Sequence, residues 1–347
     1  MTIVTFPDEQ LAYDEFLERF SDGLPIVLPT RERVEALLAA VRRDPEEVLG
    51  PVMPSGAVAR VRDVAVNAVM AGLPHAAFPI ALTAVEAALD PPFNLNGVQS
   101  TTHHAAVLIV VSGPAAEAAG MNSGANALGQ GNRANSTIGR TLRLVMMNVG
   151  RGIPGKTDMS VQGSPAKAGL CYAERLDALS WPSLAQRQTG RPNATTVTLF
   201  AGESPHMVAD HRSTTGERLL SNFADAMRSL GSTNACKPGY MVVAICPQHA
   251  DLLSRSGYGV EEIQAYLFEH ARNSLERLAE SGEFETRLMQ RVAANYGSPD
   301  DPQTRVPVIV RPDALIVTVA GGLSGGFSSF MPAWPSNIPV FKEVLEQ

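Results

Sequence analysis

Apolar residues along this chain follow two patterns, stripes at helical spacing and short unbroken runs. Residues 11–20 read as a short amphipathic helix ahead of the turn Ser21-Asp22-Gly23. Thr30 suits the N-cap of a helix over 31–43, whose Val34, Leu37, Leu38 and Val41 fall on one face. Alanine-rich stretches at 63–71 and 80–89 predict two more helices, separated by Leu73-Pro74-His75, with Pro79 in the first turn of the second. Residues 105–112 (AAVLIVVS) are a continuous apolar run closed by Gly113-Pro114, the pattern of a parallel strand covered on both faces. A glycine-rich loop follows, then a helix from about Asn135 to Val149. Residues 151–169, with four glycines and two prolines, read as an extended, folded-back loop.

The second half repeats this order. A strand is predicted at 195–200, a helix at 216–230, a second buried strand at 240–246 (YMVVAIC), a long helix at 260–279 and another at 285–296. The last strand, 314–320 (ALIVTVA), runs into Gly321-Gly322-Leu323-Ser324-Gly325-Gly326. What recurs is a buried strand entering a glycine-rich loop, once in each half. The expected fold is α/β, with parallel or mixed sheets covered by helices. Two related halves, 1–190 and 191–347, are expected to meet at the polar stretch 186–192. Open parallel sheets bind ligands outside the carboxyl ends of their strands, which is where both glycine loops fall.

Composition narrows the class further. Hydrophobic residues make up 45% and charged residues 18%, which excludes wholesale disorder. A net charge of −7 gives the chain no reason to sit on nucleic acid or an anionic membrane. The apolar runs are far shorter than the ~20 residues of a membrane span, and the start, Met1-Thr2-Ile3 with Asp8 and Glu9 close behind, lacks the pattern of a signal peptide. Three cysteines, Cys171, Cys236 and Cys246, without a CxxC pair fit free thiols in a reducing compartment. A cytoplasmic location is therefore expected.

The most chemically loaded segment reads GMNSGANALGQGNRANSTIGR from Gly120 to Arg140. Its glycines let backbone N–H groups approach a ligand, and the helix beyond begins with unpaired N–H groups, with Asn135 or Ser136 as its cap. Arg133 and Arg140 add positive charge, with no acid between Glu117 and Asp158, while Asn132, Asn135, Ser136 and Thr137 supply neutral donors. A carboxylate or phosphate would be well satisfied there, although the same residues also suit a tight loop closed by asparagine turns. Neither a Walker loop nor a GxGxxG fingerprint is present.

Acid–base candidates are the pair His103 and His104, which precede the first buried strand and in extended backbone would point to opposite faces. Cys171 and Glu174 follow the long loop, a thiol three residues from a carboxylate. Cys171 also reads as a small buried side chain, Cys246 as a core thiol ending a strand, and Cys236 as an exposed bystander. His206 and His211 flank Asp210, but no histidine spacing matches a zinc signature. No metal ligand is assigned and no cofactor is predicted, and a divalent metal held by histidines from separate loops stays open as an alternative.

Four stretches carry a family resemblance: Asp22-Gly23-Leu24-Pro25 with Pro29-Thr30, the segment from Val66 to Gly72, Ala134-Asn135-Ser136-Thr137-Ile138-Gly139-Arg140, and the loop from Pro154 to Glu174. Together they resemble the bacterial UGSC-type (seleno)protein family, in the version lacking the short thioredoxin-like selenocysteine domain. The likeness covers residues 21–181 and, beyond them, only the Gly-Gly ending. It implies a bacterial, soluble, enzyme-like protein and brings no established reaction. The chain departs from the family pattern at Leu73 and Ala76, where the family has a cysteine and a glutamate.

The function expected from these features is an enzyme of small-molecule metabolism, a lyase or hydrolase, binding a small anionic substrate between its two halves. Arg133 and Arg140 would hold the anion, with Asn132, Asn135, Ser136 and Thr137 donating. Gly322 and Ser324 would contribute from the second loop. The rivals are a non-catalytic binding or partner subunit, suggested by Leu73 and Ala76, and a metal-dependent enzyme. A homo-oligomer is compatible with each.

Overall fold

The computed structural model describes residues 5–281 and 286–345. The chain is α/β and divides into two compact units. The first comprises Met1–Glu174, Leu184–Ala201 and Asn337–Gln347, and the second Arg175–Ser183 and Gly202–Ser336. A single cut near residue 190 does not describe this division. The reason is strand pairing: Val340–Glu343, at the end of the chain, returns to lie antiparallel to Thr196–Gly202.

The sheet of the first unit has four strands in the order Val340–Glu343, Thr196–Gly202, Ala106–Ser112, Leu170–Ala173. Ala106–Ser112 is the apolar run expected to be a parallel strand, and it pairs in parallel with Leu170–Ala173, Ile109 opposite Cys171. All but one of its residues are buried, which explains why the run is apolar without alternation. Its helices include Val61–Ala71, Phe78–Ala88 and Arg133–Asn148, and the last carries its buried Ile138, Leu142, Val145 and Met146 at helical spacing.

The second unit holds a four-stranded mixed sheet in the order Leu315–Val319, Met241–Ile245, Phe327–Pro332, His206–Ala209. Leu315–Val319 and Met241–Ile245 are parallel, in register from Leu315 opposite Met241 to Val319 opposite Ile245. The carboxyl ends of these two strands therefore lie side by side. Gly216–Met227, Pro247–Arg255 and Val260–His270 contribute Leu219, Phe223, Leu253 and Ile263 to its core.

Three expectations need correction. The helix from Arg31 stops at Leu38, well short of residue 43. The long helix at 260–279 is broken: Val260–His270 ends, Arg272–Ser274 pairs antiparallel with Arg305–Pro307, and Ser274 caps a new helix, Leu275–Ala279. Strand pairing here overrides a helix-favouring sequence, because Asn273 is fully buried and donates to the Arg228 carbonyl at 3.0 Å. The helix beginning near 285 is seen as Thr286–Ala293, and Glu285 lies outside the described residues.

Gly139 shows why one resemblance segment needs a glycine inside a helix. A β-carbon there would sit 2.1 Å from the Gly169 carbonyl oxygen, and Gly169 itself has φ +124°. In an open helix Gly→Ala would stabilise by about 0.8–1 kcal/mol; here backbone meets backbone and neither side can rotate away. Gly139→Ala should instead destabilise by about 1–3 kcal/mol, read as a lower urea midpoint. A more stable variant would show that the helix does not approach the Gly169 turn this closely.

Candidate functional site

The helix after the glycine-rich loop begins two residues earlier than expected, at Arg133, with Asn132 as its cap accepting from the Asn135 N–H at 2.8 Å. Most of the expected anion donors are spent inside the fold. Asn135 accepts from the Asn122 N–H at 2.9 Å and donates to the carbonyls of Asn122 and Ala127. Asn132 donates to the Gly120 carbonyl, Thr137 to the Arg133 carbonyl, and Arg133 to the Gly72 carbonyl at 2.7 Å. Ser136 is exposed. Arg140 makes a two-pronged ion pair with Asp22, at 2.9 and 2.7 Å, and also donates to the Leu24 carbonyl. Sequence reasoning counted acids only near Arg140 along the chain; its partner comes from the first resemblance segment.

His103 and His104 do not point to opposite faces. Their rings stack at 4.7 Å, because both precede the strand, which starts at Ala106, and the alternation of extended backbone does not reach them. They lie at the amino end of that strand, whereas the glycine-rich loop follows its carboxyl end. Burial pushes the Cys171 thiol well above its ordinary value, which leaves it unreactive. Glu174, three residues on, accepts from the Ser112 hydroxyl at 2.5 Å and the Leu184 N–H at 2.8 Å. It is fastened to the start of the helix Leu184–Thr189.

The arrangement with the most chemical content lies in the second unit, on residues the sequence reading set aside as core. Strand Met241–Ile245 ends at Cys246, which stands at the N-cap of Pro247–Arg255, with Pro247 at the first helical position. His249, one turn into the helix, lies close enough to the Cys246 thiol for each to favour the other's charged form. Its Nε2 lies 2.8 Å from the Asp210 carbonyl oxygen, which can only accept, so the ring proton sits on Nε2. Nδ1 is then the basic nitrogen and faces the Ser328 hydroxyl at 2.7 Å. Ser328 also accepts the Cys246 N–H at 2.9 Å. The Asp210 carboxylate fixes the carbonyl's position: it accepts from the N–H groups of Arg212 and Ser213 and from Asn222, and these bonds hold it down to about 2 against the effect of burial.

Burial works against ionising Cys246, but the neighbouring His249 and Ser328 outweigh it and hold the thiol below its ordinary value. Burial also opposes protonating His249, and the Cys246 thiol and Asp210 carbonyl outweigh that, raising the imidazole above its ordinary value. The Gly321–Gly326 loop lies beside this group. Gly325 donates to the Gln248 side chain at 3.0 Å and Gly326 to His211 Nδ1 at 3.3 Å, so the expected candidates Gly322 and Ser324 sit on a loop tied to the same helix start. A polar cavity of about 270 Å³ is lined by His249, Gln248, His211, Ser213, Thr214 and Arg255, among others. A signal for the group was present in the sequence: Cys246-Pro247-Gln248-His249 directly after a buried strand is a thiol and an imidazole one turn apart at a helix start.

Asp22 is lowered as well: burial pushes it up, and Arg140 more than offsets that. This stabilisation is complete above the unfolded carboxylate's value of about 3.9 and is lost as pH falls through the lower folded value. Arg140→Ala should cost about 1–3 kcal/mol near neutral pH, because it takes a two-pronged partner from a half-buried carboxylate. The gap to the unaltered protein should narrow below about pH 4. Urea titrations at both pH values measure it, and a gap that stays constant would assign the loss to packing.

Among the described residues no group of three or more His, Cys, Asp or Glu side chains is placed to hold a metal ion, and His206 is engaged with Glu203 at 2.9 Å. No described helix is long and apolar enough to cross a membrane. No family model and no curated protein matches the chain.

Proposed function

We propose that this chain is a thiol-dependent hydrolase of small-molecule metabolism, with Cys246 as nucleophile, His249 as base and the cavity beside His249 as the substrate site. The observation that carries this reading is the fixed imidazole. Asp210 holds its Nε2–H, leaving Nδ1 free to take a proton from the thiol, directly or through the Ser328 hydroxyl. The cysteine also begins a helix, whose N-terminal dipole favours the thiolate.

In this scheme the Cys246 thiolate attacks an acyl carbon and a carbon–sulfur bond forms. The bond to the leaving group breaks, and that group takes the proton held on His249. Water then attacks the thioester while His249 removes its proton, and the acid and the thiol are released. The first-turn N–H of Gln248 has no acceptor within its helix and suits the developing oxyanion. An anionic substrate fits the lining: Ser213, Thr214 and His211 can donate, Arg255 stands nearby paired with Asp251, and Asp210, the acid that faces them, already accepts three hydrogen bonds. Leu73 and Ala76 belong to the other unit, so the departure from the family there does not touch this chemistry.

Cys246 is only 3% exposed and does not itself line that cavity, so the scheme requires the tethered Gly321–Gly326 loop to move aside. Iodoacetamide labelling of the folded protein, mapped to Cys246 by peptide mass, should follow pH with a midpoint below the ~8.5 of an ordinary thiol. The sign follows from the lowered thiol: the reactive thiolate appears as pH rises through that value, and His249→Gln should move the midpoint upward. Failure to label Cys246 at any pH that preserves the fold would end the proposal.

Two further measurements bear on the same site. With p-nitrophenyl acetate, an acetyl adduct should form on Cys246, and His249→Ala should slow its formation by about 10²–10⁴. Gln248→Ala removes one loop tether and should speed labelling of Cys246 while leaving its pH midpoint in place; an unchanged rate would show that the loop does not govern access.

A further inference from the structure

We propose that His211 is a pH-dependent latch on the Gly321–Gly326 loop, closed while its imidazole is neutral and released when Nδ1 takes a proton. The loop follows the strand Leu315–Val319 and leads into Phe327–Pro332. Its start is anchored by Arg175, which donates to the Gly321 carbonyl at 2.8 Å. Its end is anchored by the Asp210 N–H, which donates to the Gly326 carbonyl at 2.8 Å. Two side chains also accept from the loop, Gln248 from the Gly325 N–H at 3.0 Å and His211 Nδ1 from the Gly326 N–H at 3.3 Å. The Gln248 amide oxygen remains an acceptor at every pH that preserves the fold. An imidazole nitrogen does not.

The first argument is the direction of that bond. A backbone N–H can only donate, so the Nδ1 atom facing it carries a lone pair and the ring proton lies on Nε2. A proton on Nδ1 would remove the acceptor and set two N–H groups against each other. The Phe327 ring stands edge-on to the imidazole, with centroids 4.6 Å apart, beside the end of the loop. His211 is exposed and Gly326 is buried, so the proton arrives freely from water at a bond whose donor is shielded from it. A buried donor that loses its partner carries the full cost of its desolvation. The loop avoids that cost by moving until the Gly326 N–H meets water.

The second argument is the charge around the ring. Asp210, His249 and Arg255 line one cavity with His211, Arg212 follows it in the chain, and neither the Gly321–Gly326 loop nor the strand Phe327–Pro332 carries a charge. Arg255 is paired with Asp251. Burial raises Asp210, but the bonds from Ser213, Arg212 and Asn222 hold it down to about 2. It is therefore ionised wherever histidines titrate and favours an imidazolium beside it. His249 also takes up a proton as pH falls, but that proton is added at Nδ1, and the bond from Nε2 to the Asp210 carbonyl survives. Of these groups, only His211 loses a bond to the loop when it is protonated. The latch makes access to Cys246 acid-dependent, a consequence that rests on the function proposed above; the latch itself involves no thiol chemistry.

The test is amide hydrogen exchange of the whole chain at about pH 8 and about pH 5, the two sides of the range in which histidines change charge. Mass spectrometry follows peptides covering the loop and, as a reference, the strand Met241–Ile245, with rates corrected for the intrinsic pH dependence of exchange. Protection at Gly325 and Gly326 should fall about 2- to 10-fold in acid, the equivalent of one hydrogen bond, while the reference strand keeps its protection. His211→Asn supplies an amide oxygen that does not titrate and should abolish the fall, which assigns the response to His211 and not to His249. His211→Ala should show the lowered protection at both pH values. No fall in the unaltered protein, a fall shared by the reference strand, a fall that persists in His211→Asn, or full protection at pH 8 in His211→Ala would each overturn the latch. Failure of Cys246 to label would leave every one of these outcomes in place and would count against the thiol reading alone.

Discussion

The first unit depends on one backbone contact, between Gly139 in the middle of the helix Arg133–Asn148 and Gly169 at the end of the long loop. Neither position has room for a side chain, so the helix and the loop touch main chain to main chain. That contact determines where everything after it goes. Gly169 leads directly into the strand Leu170–Ala173, which must lie beside Ala106–Ser112, and Lys167 and Asp158 are drawn in toward Arg143. Arg140, next along the helix, is left to face Asp22. A helix that in isolation would gain from alanine keeps glycine because the lost helix propensity, of order 1 kcal/mol, is smaller than the cost of opening this interface.

The second unit uses the same device near its thiol. A β-carbon at Gly326 would fall 1.9 Å from the Asp210 carbonyl oxygen, and Asp210 N–H donates to the Gly326 carbonyl at 2.8 Å. The Asp210 oxygen crowded by Gly326 is also the one that accepts from His249 Nε2. The glycine loop thus has a positional role: it admits the backbone that chooses the imidazole's tautomer. Together with a carboxylate fixed by three hydrogen bonds, this leaves His249 little freedom to turn, and a base held in one orientation is what acid–base chemistry needs.

How much of the site was legible depends on the kind of information each residue carries. The strands at 106–112, 241–245 and 315–319 were readable because burial on both faces writes itself as an unbroken apolar run. The caps at Thr30 and the proline in the first turn of Phe78–Ala88 were readable for the same local reason. The glycine-rich segment was read as a ligand loop, whereas the structure fills most of its donors with its own carbonyls and pairs its Arg140 with an acid 118 positions away along the chain. Cys246 looked like a core thiol because a buried strand led into it; the hydroxyl of Ser328 and the carbonyl of Asp210, which give it a chemical setting, arrive from another strand and from the loop after His206–Ala209.

By itself the sequence determined the α/β class, the principal buried strands and the presence of a glycine-rich loop after a buried strand in each half, since each of these is set by neighbours within a few residues. Only the tertiary structure decided which charges are spent and which are left over. Arg140 and Arg143 are three residues apart and alike in composition, yet one meets its own carboxylate and the other shares Asp158 with Lys167. Only the tertiary structure, too, joined Val340–Glu343 to Thr196–Gly202 and broke the helix expected at 260–279. The physical reason is the same in each case: hydrogen bonds and ion pairs are satisfied by whatever lies within about 3 Å, and the chain brings those groups together from positions that no local pattern relates.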